Sequence, residues 1–114
     1  MFDPAIKAQW LTALRSGQYP QIKSKLHTTD GYCCLGVLCE QLPAWQWQTL
    51  HEASGEFPEV FGYTAAKSFT MSSAIAPELA HPIGLDGQQQ TTLMEMNDSG
   101  QSFTEIADWI EANL

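Results

Sequence analysis

Three thiols, Cys33, Cys34 and Cys39, lie in the densest apolar run of the chain, Tyr32-Cys33-Cys34-Leu35-Gly36-Val37-Leu38-Cys39, and histidines stand at positions 27, 51 and 81. Two chemistries use these residue types: a structural zinc site and a cysteine nucleophile activated by a histidine. Zinc sites of the common kind need Cys-x-x-Cys pairs or a short His-to-His step, and neither spacing occurs. A nucleophile must be a thiolate, and burial in an apolar run raises a thiol's pKa and quietens it. No phosphate-cradling Gly-rich loop, nucleophile elbow or dinucleotide fingerprint is present either. The sequence therefore assigns no catalytic residue, no metal ligand and no cofactor, and leaves a cysteine-dependent enzyme as the rival class. An odd number of cysteines, two of them adjacent, points to reduced thiols instead of a disulfide framework.

Positive charge is scarce: five Lys and Arg stand against thirteen acidic residues, for a net charge of −8. Two of the five, Lys23 and Lys25, fall with His27 on one side of an alternating stretch, Gln21 to His27, opposite Ile22, Ser24 and Leu26. With Arg15 at the end of the preceding helix they form a candidate anion site. Trp45 and Trp47, spaced by two, share a face of an extended chain and are candidates to stack a base or ring. The plainer alternatives are a solvated strand face and indoles that close the edge of a small core. The acidic balance opposes direct nucleic-acid binding, which depends on Lys and Arg neutralising phosphates.

The elements that must position these residues read as an α+β fold: one small domain over residues 1–114, mainly helical, with a short N-terminal hairpin and a C-terminal helix pair. Asp3-Pro4 caps and opens a first helix carrying Ile6, Trp10, Ala13 and Leu14 inward, and Gly17 stops it. Thr28-Thr29-Asp30-Gly31 is a turn signal. After it the chain is expected to run extended through Tyr32 and then coil, placing Cys34, Leu35, Leu38 and Leu42 on one helical face. A glycine inside that helix costs about 1 kcal/mol against alanine, so Gly36 implies a close approach by another backbone.

Thr49 to Phe61 reads as loop with a short helix, Ala65 to Phe69 and Ser73 to Ala76 as weakly helical, and His81 to Gly87 as a turn. Gln90 to Met96 is expected to be helical and Asn97-Asp98-Ser99-Gly100 to break it. Ser102-Phe103-Thr104-Glu105 is a capping box, followed by Phe103, Ile106, Ala107, Ile110 and Leu114 at helical spacing. A helix pair around a Gly-containing turn has the outline of a helix-turn-helix. The second helix, however, bears Glu105, Asp108 and Glu111 and neither Lys nor Arg, which a phosphate backbone would repel.

The Tyr32–Cys39 segment, taken together with Met96-Asn97-Asp98-Ser99-Gly100-Gln101-Ser102-Phe103-Thr104-Glu105-Ile106-Ala107-Asp108-Trp109-Ile110-Glu111, resembles a group of small proteins of tailed bacteriophages and prophages. That group also opens with a Trp and Ala-Leu helix like Trp10 to Leu14 and a turn like Ser16-Gly17-Gln18-Tyr19; about half the chain is covered. The resemblance implies the cytoplasm of an infected bacterium and a small acidic inhibitor that works by occupancy. No apolar run approaches the roughly 20 residues of a membrane span, and Met1-Phe2-Asp3-Pro4 lacks a signal pattern, in keeping with that compartment. The expected partner is a host bacterial protein with a basic surface, with a nucleotide signal as the alternative and a homodimer compatible with both.

Overall fold

The structure is a computed structural model that describes residues 2–42, 46–52, 54, 60–64, 75 and 77–114. The first helix, α1 (Pro4–Arg15), begins where Asp3 Oδ1 accepts from the backbone N–H groups of Ala5 and Ile6 at 2.9 and 3.2 Å. It buries Trp10, Leu11, Ala13 and Leu14, and the chain leaves it through Gly17 at a φ of +75°.

The expected strand over Gln21–His27 is not formed. Strand β1 is only His27–Thr28, and Lys23 to Leu26 bend, with Ser24 in the left-handed region at a φ of 70°. The reason is competition for backbone groups. The Ile22 carbonyl accepts from Asn97 Nδ2 at 2.7 Å, and the Ser24 N–H donates to Asp98 Oδ1 at 2.8 Å, so distant side chains take bonds that a ladder would use. Alternation in the sequence described the residues but not their partners.

β1 turns through Thr29 and Asp30 into β2 (Gly31–Tyr32), pairing His27 with Tyr32. Gly31 passes so close to Pro20 that a Cβ there would lie 2.8 Å from the proline carbonyl carbon. Helix α2 (Cys34–Glu40) follows at once, as expected, and every residue from Cys34 to Cys39 is buried. Gly36 meets the Leu26 main chain: a Cβ on it would collide with the Leu26 carbonyl oxygen and stand 2.9 Å from the carbonyl carbon. The close approach inferred from the glycine is therefore to the residue leading into the hairpin.

Strands β3 (Gln46–His51) and β4 (Val60–Thr64) complete an antiparallel sheet in the order β2-β1-β4-β3, with a register shift between Thr49 and His51. The loop expected over Thr49–Phe61 is thus strand at both ends. Its β-branched and aromatic residues, Thr49, Val60 and Phe61, outweigh the acidic and proline residues between them. The helical expectations for Ala65–Phe69 and for Ser73, Ala74 and Ala76 lie outside the described residues. Ile75 is described, buried and not helical.

Helix α3 (Pro77–Ile83) carries Pro82 in its last turn, so the turn expected at His81 begins only at Gly84. Helix α4 (Gly87–Asp98) starts earlier than Gln90 because Asp86 and Gln89 form a capping box, and it runs on through Asn97. Ser102 and Glu105 form the second box, opening α5 (Phe103–Asn113), which buries Phe103, Ile106, Ala107 and Ile110. The helices close over α2: Trp10 Nε1 donates to the Cys34 carbonyl at 2.9 Å, and Leu35, Leu38, Leu93, Ile106 and Ile110 are wholly buried.

Two substitutions test this packing. Gly36→Ala forces a methyl into the Leu26 carbonyl and is expected to cost about 3 kcal/mol in urea unfolding. Asn97→Ala strips partners from buried backbone groups and is expected to cost about 3 kcal/mol. A loss below about 1 kcal/mol for either would show that the contact relaxes freely.

Candidate functional site

The residues singled out by chemistry fall into three places. The thiols are interior. Cys33 is 5% exposed, Cys34 and Cys39 are fully buried, and Cys34 Sγ donates to the Leu93 carbonyl at 3.5 Å. Burial pushes the Cys33 thiol up to about 11 and raises Cys34 and Cys39 as well, so all three stay protonated at neutral pH.

The candidate cations are dispersed. Arg15 Nη2 donates to Asp108 Oδ1 at 2.9 Å and Glu111 Oε2 at 3.0 Å on α5, and Lys7 Nζ reaches the Glu111 carbonyl at 3.2 Å. Both cations thus sit near the C-terminal end of α5, where the helix dipole favours positive charge. Lys23 is exposed on the bent segment. Lys25 lines a cleft of only about 10 Å³ with Met94, Asn97 and Asp98, room for no more than a water molecule. Trp45 lies outside the described residues.

His27 and Trp47 do come together. The His27 ring is stacked on Tyr32 at 3.9 Å with an interplanar angle of 4°, and on Phe61 at 4.5 Å and 21°. Trp47 leans against it at 4.8 Å, tilted by 54°. Sheet pairing explains the arrangement, since His27 stands opposite Tyr32 on one neighbour and opposite Phe61 on the other. His27 Nδ1 lies 2.7 Å from the Gly31 carbonyl and must donate to it, which leaves Nε2 as the acceptor in the neutral ring.

Glu40, at the last turn of α2, closes one side of the cluster. Its Oε1 accepts from Trp47 Nε1 at 2.8 Å, and burial followed by the Glu40 carboxylate raises the pKa of the Tyr32 hydroxyl. Tyr32 meets Tyr19 edge-on at 5.3 Å, and Gln41 Nε2 donates to the Tyr19 hydroxyl at 3.5 Å. Tyr19 and Gln41 in turn border an open groove of about 500 Å³ along α1, lined also by Gln9, Thr12, Ser16 and Gln18 and, among the described residues, by no charged side chain.

Residues 2–114 match the family described as Domain of unknown function (DUF8296). The chain belongs to this family. No curated protein and no solved structure matches it. Among the described residues the aromatic cluster with Glu40 is the candidate surface site, and Glu40, Tyr32, Phe61 and Tyr19 were missed by sequence reasoning. The i to i+5 step from His27 to Tyr32 across a Thr-Asp-Gly turn was the available signal for one contact; nothing local points to Phe61.

Sequence reasoning also passed over a division of charge. Residues 68–114 hold seven acidic residues and neither Lys nor Arg, whereas the six acids and five bases of residues 1–67 nearly cancel. In this chain Asp86, Glu95, Asp98, Glu105, Asp108 and Glu111 are all exposed, so α4 with its N-cap, together with α5, carries most of the net charge outward.

The thiols supply the test here. Native protein is expected to react with a thiol-specific disulfide reagent orders of magnitude more slowly than urea-unfolded protein at pH 8. Because each folded-state thiol pKa is raised, their contribution to stability is intact below the ordinary value of about 9 and is lost as pH climbs toward about 11. Urea titrations across pH 8 to 11 should show falling stability; a flat profile would contradict the burial.

Proposed function

We propose that this protein is a non-enzymatic binder that inhibits a host process, such as a defence, by occupying a basic surface of a bacterial protein. One observation carries the reading: α4 with its N-cap Asp86, together with α5, turns six acidic side chains to the surface with no Lys or Arg of its own. Such a field steers a cationic partner and repels phosphate. The locked, protonated thiols favour attachment over bond-making. The resemblance to tailed-phage proteins in the Tyr32–Cys39 and Met96–Glu111 segments supplies the proposed setting, the cytoplasm of an infected bacterium.

A nucleotide signal draws less support. Arg15 is engaged by two carboxylates, Lys25 borders a cleft too small for a phosphate group, and His27 already has Tyr32 and Phe61 against its ring. A stacking role for Trp47 is the part of that reading that the site leaves in place.

The experiment is capture of targets from bacterial extract on immobilised protein, then binding of the purified target at increasing salt. The expected target is a protein with a basic face, whose affinity drops at least about tenfold between 50 and 200 mM salt, as screening of exposed charge requires. The triple change Glu95→Gln, Asp108→Asn and Glu111→Gln should slow association and leave the fold intact, because the Arg15 pairs are exposed and screened by solvent. Recovery of a small molecule, or binding indifferent to salt and to the triple change, would overturn the reading.

A further inference from the structure

The aromatic cluster has a carboxylate at its edge, and that pairing has a chemistry of its own. Glu40 is exposed, yet its position is set: Trp47 Nε1 donates to Oε1 at 2.8 Å. A carboxylate accepts about four hydrogen bonds, so the indole donor leaves it able to take a further pair. Trp47 and Tyr32 are half-exposed, and their rings lie 6.2 Å apart at 57°, forming an angled wall next to the acid. Behind them the stacked His27 and Phe61 rings fix Tyr32 and Trp47 from the sheet side.

We infer that Trp47, Tyr32 and Glu40 form a receptor for one arginine side chain of the partner, its guanidinium lying against the aromatic wall and donating to Glu40. This rests on the reading that the partner presents a basic surface, and it names the contact that selects it. Two features favour arginine over lysine. A planar guanidinium stacks on an aromatic face and pairs with a carboxylate in a fork, whereas an ammonium is a compact, strongly hydrated point charge. The acceptor is also pre-set by Trp47, so less side-chain freedom is lost when it pairs. The groove along α1, uncharged among its described lining residues and joined to the wall through Tyr19 and Gln41, gives the chain flanking that arginine a path.

The test uses the whole chain, labelled with ¹⁵N, and two nine-residue Gly/Ser peptides that carry three arginines or three lysines at the same positions. The arginine peptide is expected to bind at least fivefold more tightly and to shift the Trp47 indole N–H resonance. Glu40→Gln, which keeps an acceptor for Trp47 but removes the charge, and Trp47→Phe should each bring the two peptides to within twofold of one another. Glu95→Gln, on the acidic helix face, should weaken both peptides alike. Equal, salt-sensitive binding of the two peptides would remove the arginine receptor and leave the basic-partner reading standing. An arginine preference that survives Glu40→Gln would also remove it, and failure of both peptides to bind would remove the receptor and the basic-partner reading together.

Discussion

The fold depends on the side chain of Asn97, a fully buried amide at the end of α4. Its Oδ1 accepts from the first N–H of α2, that of Cys34, at 3.2 Å and from Gln21 Nε2 at 3.0 Å, while Nδ2 donates to the Ile22 carbonyl at 2.7 Å. One amide thus caps a helix whose own N-cap residue, Cys33, makes no side-chain bond, and ties that helix to the segment before the hairpin. A buried polar group with partners of this kind stabilises one arrangement over its alternatives, because any shift strands a donor or an acceptor away from water. Gly36 against Leu26 sets the same junction sterically. Together they determine where the hairpin leaves the helical layer, and so where His27 and Tyr32 stand in the sheet.

That placement separates the two kinds of reactive side chain. The thiols face the junction's interior, where their neighbours are Leu35, Leu38, Leu93 and the other core residues, and burial keeps them as thiols. The aromatic and acidic groups face outward at the sheet and at the end of α2. The described surface around that cluster is consequently made of rings, amides and a carboxylate. Such groups suit binding through hydrogen bonds and cation–ring contacts.

Local signals were legible in the sequence and long-range ones were not. Asp3-Pro4 and Ser102 with Glu105 announced helix starts because a cap is satisfied within three residues of itself. The buried stripe of α5, the extended-then-helical passage through Tyr32 to Cys34, and the close contact at Gly36 were readable for similar reasons. The Asp86–Gln89 box was hidden because Gly87 made Asp-Gly look like a turn. Asn97 looked like a helix breaker, since a polar residue declares its role only through partners 63 to 76 positions away. The same distance defeated the strand assignment at Gln21–His27, whose alternation was real but whose backbone groups were already engaged by α4. Of the six candidate site residues, His27 and Trp47 meet because sheet order brings β1 beside β4 and β4 beside β3, a topology that no local window contains.

The contacts between α1 and α5 have a kinetic meaning. Lys7 bonds to the carbonyl of a residue 104 positions away, and Arg15 pairs across 93 and 96 positions. Closing loops of that length is costly in entropy and slows folding relative to local pairing. On a ribosome the first helix could dock Trp10 against Cys34 once α2 has emerged, but its pairing with α5 has to wait for the end of the chain. The seam between the first and last helices is therefore completed only after synthesis has ended.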